Sequence, residues 1–366
     1  MALQILIKPA SGMCNMECSY CFYKDEIKHR SQNISEIMKL STLEAIIKKA
    51  VESSNGEICF AFQGGEPTLA GISFFEKAIT FAERYNAKDN TISWSIQTNG
   101  YMLNEAWIRF FAENKFLVGI SVDGPKELHN YFRQSSNGKN TFTSVLNTIT
   151  LFNKYKVDYN IVTVISSGNV RKPQTLYNFF EKNGFYNVQL IPCLNRLDGV
   201  PDIYSIKGRD YGEFLKMMFD LWYADWQKGS YISISVFDNF IRMLMNSPAI
   251  ICGMNGKCSC QYVIEANGGV YPCDFYVLDD YCLGNINDNT FPELFETYKL
   301  LEFFSEPQYA NVCVKCKWKG LCNNGCKRYR SQENLNVLCE AYAAFFEHCF
   351  ERMCCVANFL MEIKSF

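Results

Sequence analysis

The sequence predicts an α/β fold in which a partial (β/α)6 barrel of the TIM type is followed by a smaller cysteine-rich domain. Two observations predict it. Strand-like and helix-like segments alternate six times over the first two-thirds of the chain, and cysteines cluster in the last third. Six consecutive βα units imply parallel strands with right-handed crossovers, as in an open barrel. We expect the barrel to span residues 1–232 and the cysteine-rich domain to span residues 233–366.

The predicted strands are short apolar runs that contain many β-branched and aromatic residues. They comprise residues 3–8, 58–63, 92–97, 116–122, 159–165 and 188–192. Between them lie amphipathic helix candidates, which include residues 41–54 and 73–85. Ser41 and Glu44 have the spacing of a capping box, which predicts that the first of these helices begins there.

Composition and charge indicate a compact globular protein. The chain has 366 residues, of which 48% are hydrophobic, and this suffices for a large core. With Lys+Arg 36 against Asp+Glu 38, the net charge of −2 gives no electrostatic reason to expect binding to nucleic acid or to a membrane.

The sequence also predicts a cytoplasmic location. The N-terminal apolar run is short for a signal peptide and contains Lys8, and no segment offers about 18 uninterrupted apolar residues. Because the cytoplasm keeps thiols reduced, this location favours metal ligands over disulfides for the 18 cysteines.

Distinctive short segments follow the first four predicted strands. Cys14 follows the first strand, and the segments Gly-Gly-Glu-Pro (64–67), Thr-Asn-Gly (98–100) and Asp-Gly-Pro (123–125) follow the next three. In a parallel barrel, ligands bind at the C-terminal ends of the strands. We therefore expect these segments to meet at one mouth of the barrel.

The first of these segments holds three cysteines, Cys14, Cys18 and Cys21, with no histidine between them. A structural zinc site and a simple electron-transfer [4Fe–4S] cluster each take four protein ligands. Three thiolates on a four-iron cluster would leave one iron open to a small molecule. By spacing alone, a zinc site completed by a distant ligand remains an alternative.

These cysteines, followed directly by Phe22, and the segment 64–67 after the second strand together resemble the radical S-adenosylmethionine (radical SAM) superfamily. In that superfamily the open iron binds the amino and carboxylate groups of S-adenosylmethionine, which is cleaved to a 5′-deoxyadenosyl radical. The resemblance implies that Gly64, Gly65 and Glu66 lie beside this molecule. Glycines let the backbone approach a ligand, and a carboxylate can accept hydrogen bonds from an ammonium group.

The last third contains an ordered series of cysteines whose spacing, taken alone, would also suit zinc knuckles. Downstream of a radical SAM motif, it resembles the auxiliary-cluster extension called SPASM, which favours iron–sulfur clusters. The resemblance implies that one [4Fe–4S] cluster is held by Cys252, Cys258, Cys273 and Cys326, and another by Cys313, Cys316, Cys322 and Cys339. Cys260 could replace Cys258, from which it is two residues away.

A narrower resemblance is carried by longer motifs along nearly the whole chain. Residues 14–23, 61–71, 97–100, 121–130, 252–258 and 271–278 together are similar to the anaerobic sulfatase-maturating enzymes. That family oxidises a Cys or Ser of a sulfatase to Cα-formylglycine. The resemblance implies three [4Fe–4S] clusters and S-adenosylmethionine as cofactors, a sulfatase polypeptide as substrate, and a low-potential electron donor of the flavodoxin or ferredoxin type.

The same resemblance assigns roles to individual side chains. The resemblance implies that Asp274 is the base that takes the proton from the target thiol or hydroxyl. Asp274 directly follows the predicted ligand Cys273. Gln63 and Tyr23 match positions that contact the substrate, and Tyr23 also borders the cofactor. Ser121 and Arg133 match partners of the methionyl carboxylate or the adenosine.

Two alternatives remain open at this point. The first is another SPASM-type radical SAM enzyme that modifies peptides, such as a thioether-forming maturase, from which Asp274 as base would distinguish this chain. The second is a non-catalytic scaffold in which the cysteines hold zinc. An iron content of about twelve per chain would exclude the zinc scaffold, because three [4Fe–4S] clusters supply that number.

Overall fold

We describe the protein from a computed structural model, whose described residues are 3–31, 35–193, 195–200, 202–305 and 309–364. The chain forms two compact units, each made of separated segments. The first comprises Met1–Val122, Asn130–Tyr159 and Ser259–Ser305, and the second Asp123–His129, Asn160–Cys258 and Glu306–Phe366. None of the described helices is long and apolar enough to cross a membrane.

The strands in the described residues are β1 (Leu3–Ile7), β2 (Glu57–Phe62), β3 (Thr91–Thr98), β4 (Leu117–Ser121), β5 (Tyr159–Ile165), β6 (Asn187–Pro192), β7 (Ser233–Ile234), β8 (Val263–Ile264), β9 (Gly269–Tyr271) and β10 (Gly284–Asn285). The helices are α1 (Phe22–Lys28), α2 (Leu40–Ser53), α3 (Ile72–Tyr85), α4 (Glu105–Glu113), α5 (Lys126–Phe132), α6 (Phe142–Tyr155), α7 (Pro173–Lys182), α8 (Gly208–Trp226), α9 (Ser235–Leu244), α10 (Phe291–Phe295), α11 (Tyr298–Phe303), α12 (Asn311–Val314), α13 (Lys319–Cys322) and α14 (Cys339–Lys364).

In the first unit, strands lie side by side in the order β10-β9-β8-β1-β2-β3-β4. Strands β1 to β4 are parallel, and β8 also runs parallel to β1. Strands β9 and β10 extend this edge in antiparallel order. Because Ile7 pairs with Ile264 and the Lys8 N–H donates to the Ile264 carbonyl at 2.8 Å, Lys8 and Glu265 leave the sheet side by side.

Aromatic side chains fill the core between this sheet and its helices. In β2, Phe60 and Phe62 are fully buried. The ring of Phe62 lies 4.8 Å from that of Phe75 on α3, and Phe60 stacks on Trp94 of β3 at 5.0 Å. Burying one such ring contributes about 1.5–3 kcal/mol. This packing fixes β2 and β3 against α3, and hence the loops that follow these two strands.

The start of α2 differs from the prediction, and the predicted capping box is wrong. The N-cap residue is Lys39, which makes no side-chain cap hydrogen bond. The carboxylate of Glu44 instead accepts hydrogen bonds from α3, at 2.5 Å from Tyr85 Oη and 3.3 Å from Arg84 Nη1. A tertiary contact between α2 and α3 therefore uses the side chain that the local pattern assigned to the cap.

The second unit contains strands β5, β6 and β7, which are parallel neighbours in that order. Its helices α8 and α14 pack closely: a Cβ on Gly212 would lie 3.1 Å from the Cα of Ala341. The rings of Phe219 and Phe237 contact Phe345 at 5.8 Å and 5.7 Å. This packing anchors α14, which begins at Cys339, one of the predicted cluster ligands.

The predicted α/β class and parallel sheet are confirmed. All six predicted barrel strands are present, each within one residue of the predicted limits. The short strands β8, β9 and β10 of the last third were not predicted. The predicted domain boundary after residue 232 stays a prediction.

Candidate active site

The first three cysteines lie in the loop after β1, and Cys21 is the N-cap residue of α1. The sulfur of Cys14 accepts hydrogen bonds from the Met16 N–H at 3.4 Å and from Asn99 Nδ2 at 3.6 Å. Burial raises the pKa of Cys14 to about 12, and charge on Cys18 and Cys21 acts in the same direction. Cys14 is therefore close to both Cys18 and Cys21.

The loop after β2 packs directly on this cysteine loop, and its two glycines make the contact possible. Gly64 and Gly65 have positive φ values of 85° and 42°. A Cβ on Gly65 would lie 2.1 Å from the Met13 carbonyl oxygen, and one on Gly64 would lie 2.9 Å from the Ser11 carbonyl oxygen. A Cβ on Gly64 would also lie 2.6 Å from Cε of the buried Lys8 side chain. Both positions therefore require glycine, because each combines a positive φ with contacts too close for a Cβ.

Glu66, which follows these glycines, is completely buried. Its Oε1 accepts hydrogen bonds from the Thr68 N–H at 3.1 Å, Thr68 Oγ1 at 2.7 Å and Thr98 Oγ1 at 2.8 Å. Its Oε2 accepts one bond, from the Asn99 N–H at 2.8 Å. Burial raises the pKa of Glu66, and these hydrogen bonds oppose the shift. Glu66 thus joins the ends of β2 and β3, and its Oε2 can accept a further hydrogen bond.

Asp274 forms a compact hydrogen-bonded group with Tyr23 and Gln63. Its Oδ2 accepts hydrogen bonds from Tyr23 Oη at 2.7 Å and from Gln63 Nε2 at 3.0 Å, and Gln63 Nε2 also donates to Tyr23 Oη at 2.8 Å. Tyr23 is the second residue of the helix that follows the cysteine loop, and Gln63 directly follows β2. Three distant parts of the sequence therefore meet at one carboxylate.

The two oxygens of this carboxylate differ. Within the described residues, Oδ1 of Asp274 accepts no hydrogen bond, although Lys8 Nζ lies 3.9 Å away. Burial raises the pKa of Asp274, while the Lys8 charge and the bond from Tyr23 lower it. Burial and the adjacent carboxylate raise the pKa of Tyr23 well above its usual value, which keeps its hydroxyl protonated as a donor. Oδ2 is thus held by two donors, and the buried Oδ1 faces the Lys8 ammonium.

Arg133 borders the cysteine loop, whereas Ser121 contacts a neighbouring strand. Arg133 Nη1 donates to Cys18 Sγ at 3.7 Å, and its guanidinium lies 5.5 Å from the centre of the Tyr20 ring. Ser121, at the end of β4, accepts a hydrogen bond from Gln97 Nε2 at 3.3 Å. The predicted roles of Ser121 and Arg133 toward the cofactor stay predictions.

In the second unit, three of the predicted auxiliary ligands lie together. Burial raises the pKa of Cys326 to about 11, and charge on Cys252 and Cys258 raises it in the same direction. A Cβ on Gly253 would lie 2.9 Å from the Cβ of Cys326, so glycine lets these two loops approach. Cys273, the fourth predicted ligand of this set, belongs to the first unit.

The other set lies entirely in the second unit. Burial raises the pKa of Cys322 to about 11, with charge on Cys339, Cys313 and Cys316 acting in the same direction. The turn after Cys322 has positive φ at Asn323, Asn324 and Gly325. Asn324 accepts the Asn336 N–H at 3.0 Å and donates to the Asn334 carbonyl at 2.6 Å. This turn carries the chain from α13 toward the start of α14, where Cys339 lies.

The donor chemistry of these sites fits iron–sulfur clusters. All 18 cysteines are free thiols, and both sets of predicted ligands consist of sulfur alone. Cysteine thiolates are the ligands that hold [4Fe–4S] clusters in proteins.

Comparison with known proteins places this geometry in a family. The model of the Radical SAM superfamily matches residues 9–179, and that of the SPASM iron-sulfur cluster-binding domain matches residues 252–317. A cysteine-type anaerobic sulfatase-maturating enzyme of Clostridium perfringens is 45% identical over 97% of this chain and 98% of its own length. A serine-type enzyme of Bacteroides thetaiotaomicron is 31% identical over 94% of this chain and 89% of its own.

Comparison with solved structures gives the same family as comparison of sequences. Native anSMEcpe with bound AdoMet and Cp18Cys peptide superposes with a TM-score of 0.93 at 45% identity, covering 98% of this chain and 99% of that chain. Streptococcus suis SuiB bound to precursor peptide SuiA has a TM-score of 0.67 at 14% identity, covering 93% of this chain and 76% of its own. At that identity, the second likeness shows the fold alone.

The fold and the site define a radical SAM enzyme with a SPASM domain. Within that class, the chain belongs to the anaerobic sulfatase-maturating enzymes, which convert a sulfatase residue to formylglycine. The predicted fold, enzyme class and cofactors, S-adenosylmethionine and [4Fe–4S] clusters, are thereby confirmed. Nothing in these comparisons favours the thioether-forming alternative.

Two polar residues of the site were not among the predicted site residues. The sequence showed Lys8 only as a charge within an apolar run, and Asn99 only as part of the segment 98–100. Both follow parallel strands directly, at the edge where ligands bind, and that position was the available signal.

Proposed function

We propose that this protein oxidises a cysteine of a sulfatase, within a short motif of the type Cys-x-Pro/Ala-x-Arg, to Cα-formylglycine. The observation that carries the proposal is the grouping of Asp274, Tyr23 and Gln63 in the unit that holds the three N-terminal cysteines. A cysteine target is supported by the relatives, because cysteine-type enzymes are 45% and 42% identical and a serine-type enzyme is 31% identical.

The chemistry divides between cofactor and protein. S-adenosylmethionine, bound at the open iron of a [4Fe–4S] cluster, supplies the 5′-deoxyadenosyl radical that removes a hydrogen atom from the substrate Cβ. Asp274 takes the thiol proton, while Tyr23 and Gln63 hold its carboxylate in place through Oδ2. The substrate loses a hydrogen atom to the deoxyadenosyl radical, a proton to Asp274 and one electron, which an auxiliary [4Fe–4S] cluster would accept. These losses convert the thiol-bearing methylene group to a thioaldehyde, and water then gives the aldehyde and hydrogen sulfide.

The ligand assignments form part of this proposal. Cys14, Cys18 and Cys21 would hold the cluster that binds S-adenosylmethionine, and Cys252, Cys258, Cys273, Cys326, Cys313, Cys316, Cys322 and Cys339 would hold the two auxiliary clusters. Cys258 is supported over Cys260 because Cys326 lies close enough to Cys252 and Cys258 for their charges to raise its pKa. Gly64, Gly65, Glu66, Tyr23, Ser121 and Arg133 would surround the S-adenosylmethionine, and Tyr23 and Gln63 the substrate.

A low-potential flavodoxin or ferredoxin in the cytoplasm would supply the electron that starts the reaction. The exposed side chains of Lys315, Lys317 and Lys319 support this choice of partner, because each lies within three residues of a predicted ligand of the second auxiliary cluster. A positive surface beside a redox centre attracts an acidic redox protein and speeds their association.

The test is anaerobic incubation of the reconstituted protein with S-adenosylmethionine, a reductant and matched Cys and Ser sulfatase peptides, followed by mass spectrometry. Replacement of the side chain by an aldehyde lowers the mass by about 18 units in the Cys peptide and about 2 units in the Ser peptide. We expect faster conversion of the Cys peptide. A peptide that remains unchanged while S-adenosylmethionine is cleaved would contradict the proposed function, and faster conversion of the Ser peptide would contradict the proposed target.

A further inference from the structure

Five charged side chains are buried together in the first unit, and we refer to them as the ionic cluster. Its members are Lys8, Glu26, Arg30, Glu265 and Asp274, whose side chains are 1%, 2%, 3%, 0% and 11% exposed. Three carboxylates thus face two cations with almost no access to water. Removing charges from water is costly, so such a group requires close mutual contacts.

Arg30 makes the most extensive contacts in this cluster. Its Nη2 lies 2.9 Å from Glu26 Oε1, its Nη1 donates to Glu265 Oε1 at 2.9 Å, and its Nε donates to the Val277 carbonyl at 2.6 Å. Glu26 belongs to α1, Glu265 to the turn between β8 and β9, and Val277 ends the helical turn that begins at Asp274. One planar guanidinium therefore connects Glu26 on the helix after the cysteine loop to Glu265, which precedes Asp274 in the sequence, and to Val277, which follows it.

Glu265 is the second point of connection. Its Oε1 lies 2.9 Å from Lys8 Nζ as well as from Arg30, and its Oε2 accepts a hydrogen bond from Ser11 Oγ. Lys8 Nζ also lies 3.4 Å from Glu26 Oε2. The pairing of β1 with β8 brings Glu265 beside Lys8, so the position of this carboxylate follows from the sheet register.

The chain just beyond α1 makes a further contact with the same segment. The Ser31 N–H donates to Asp279 Oδ2 at 2.7 Å. Arg30 and Ser31 thus hold two points, Val277 and Asp279, within five residues of Asp274. Both contacts fix the chain that follows Asp274. Neither involves the Asp274 carboxylate, which accepts hydrogen bonds from Tyr23 and Gln63.

We propose that Arg30 and Glu265 are positioning residues for Asp274, which lock the segment 274–277 to the helix that carries Tyr23. This inference rests on the proposed function, because it concerns the distance between the proposed base and the substrate thiol. Arg30 donates hydrogen bonds to two acceptors and forms an ion pair with Glu26 through one rigid fork, which a lysine ammonium on a flexible stem cannot reproduce. A shift of about 1 Å in a catalytic group can reduce a rate about a hundred-fold, so the effect of losing this lock is measurable.

The test compares Arg30→Lys and Glu265→Gln with wild type as reconstituted holoenzymes, and measures both 5′-deoxyadenosine and formylglycine. We expect formylglycine formed per deoxyadenosine to fall about ten-fold, with deoxyadenosine formation within about two-fold of wild type. The control is Arg84→Lys, which alters a partly exposed pair with Glu44 in the same unit and should leave the ratio unchanged.

A second measurement follows backbone order. Hydrogen exchange of the holoenzyme should become faster in residues 274–279 of both variants and stay unchanged in β2. The product ratio is a property of folded molecules, so Glu265→Gln decides the outcome if Arg30→Lys folds poorly. The inference is overturned if the ratio stays at its wild-type value in Glu265→Gln, or if both products fall in proportion.

Asp274→Asn separates this inference from the proposed function. If Asp274→Asn lowers the ratio while Arg30→Lys and Glu265→Gln do not, the proposed base stands and the positioning role is wrong. If Asp274→Asn leaves the ratio unchanged, the proposed function of Asp274 fails first, and the positioning role fails with it.

Discussion

Asp274 illustrates how one side chain acquires a chemical role from its surroundings. A lone aspartate after a cysteine would ordinarily be an exposed turn residue, but Asp274 is only 8% exposed and its Oδ2 accepts two hydrogen bonds. These bonds fix the plane of the carboxylate, whose Oδ1 faces Lys8 at 3.9 Å. A fixed acceptor within hydrogen-bond reach of a substrate proton is what general-base catalysis requires.

Substitution Asp274→Asn keeps the shape of this side chain and removes the proton acceptor. We expect formylglycine formation to fall by about a hundred-fold, the loss typical of a general base, while 5′-deoxyadenosine formation continues. Deuterium at the target Cβ should still reach deoxyadenosine. Quantification of both products by mass spectrometry checks this, with Asp280→Asn, a neighbouring carboxylate without a predicted role, as the control. A near-normal yield of formylglycine would remove Asp274 from the mechanism.

At the scale of elements, the loop after β2 depends on its glycines because it packs on backbone atoms of the cysteine loop. Gly65→Ala places a Cβ 2.1 Å from the Met13 carbonyl oxygen, at a positive φ of 42°. We expect S-adenosylmethionine cleavage to fall by more than about ten-fold, because the displaced cysteine loop no longer holds its cluster correctly.

Cleavage assays and iron analysis check this prediction. The matched control is Gly56→Ala, because nothing lies within 4 Å of a Cβ added there. Equal cleavage activities in Gly65→Ala and Gly56→Ala would show that the contact with Met13 is unimportant.

The loops around α12 and α13 are short, and metal binding in such regions is usually coupled to their stability. Cys316→Ala removes one predicted thiolate from the second auxiliary set. We expect lower solubility, fewer irons per chain and lower turnover. Cys355→Ala, an exposed cysteine of α14 with no predicted role, should leave all three unchanged. A Cys316→Ala protein that matches the Cys355→Ala protein would require a different ligand for that cluster.

At the scale of the whole molecule, three separate clusters predict a specific iron count. The anaerobically reconstituted protein should be brown and contain about twelve irons, and the zinc scaffold would instead be colourless. Simultaneous Ala substitution of Cys14, Cys18 and Cys21 should leave about eight irons and abolish S-adenosylmethionine cleavage. Cleavage that persists in this variant would show that another cluster binds S-adenosylmethionine.

The sequence by itself determined the features that depend on local pattern and ligand chemistry. Apolar runs separated by amphipathic segments located the six barrel strands to within one residue, because buried parallel strands need continuous hydrophobic stretches. Cysteine spacing and the motifs around Asp274 indicated the family, because cluster ligands must occur at set intervals along short loops. These features require no knowledge of contacts between distant segments.

Only the tertiary structure decided how distant residues combine. Local pattern assigned Glu44 to a helix cap, but its carboxylate bonds to Tyr85 and Arg84 of another helix. Likewise, Lys8 appeared only as a charge in an apolar run until the pairing of β1 with β8 placed it beside Glu265. The physical reason is that a buried charge is stable only with partners, and those partners depend on which strands pair across long stretches of sequence, such as β1 with β8.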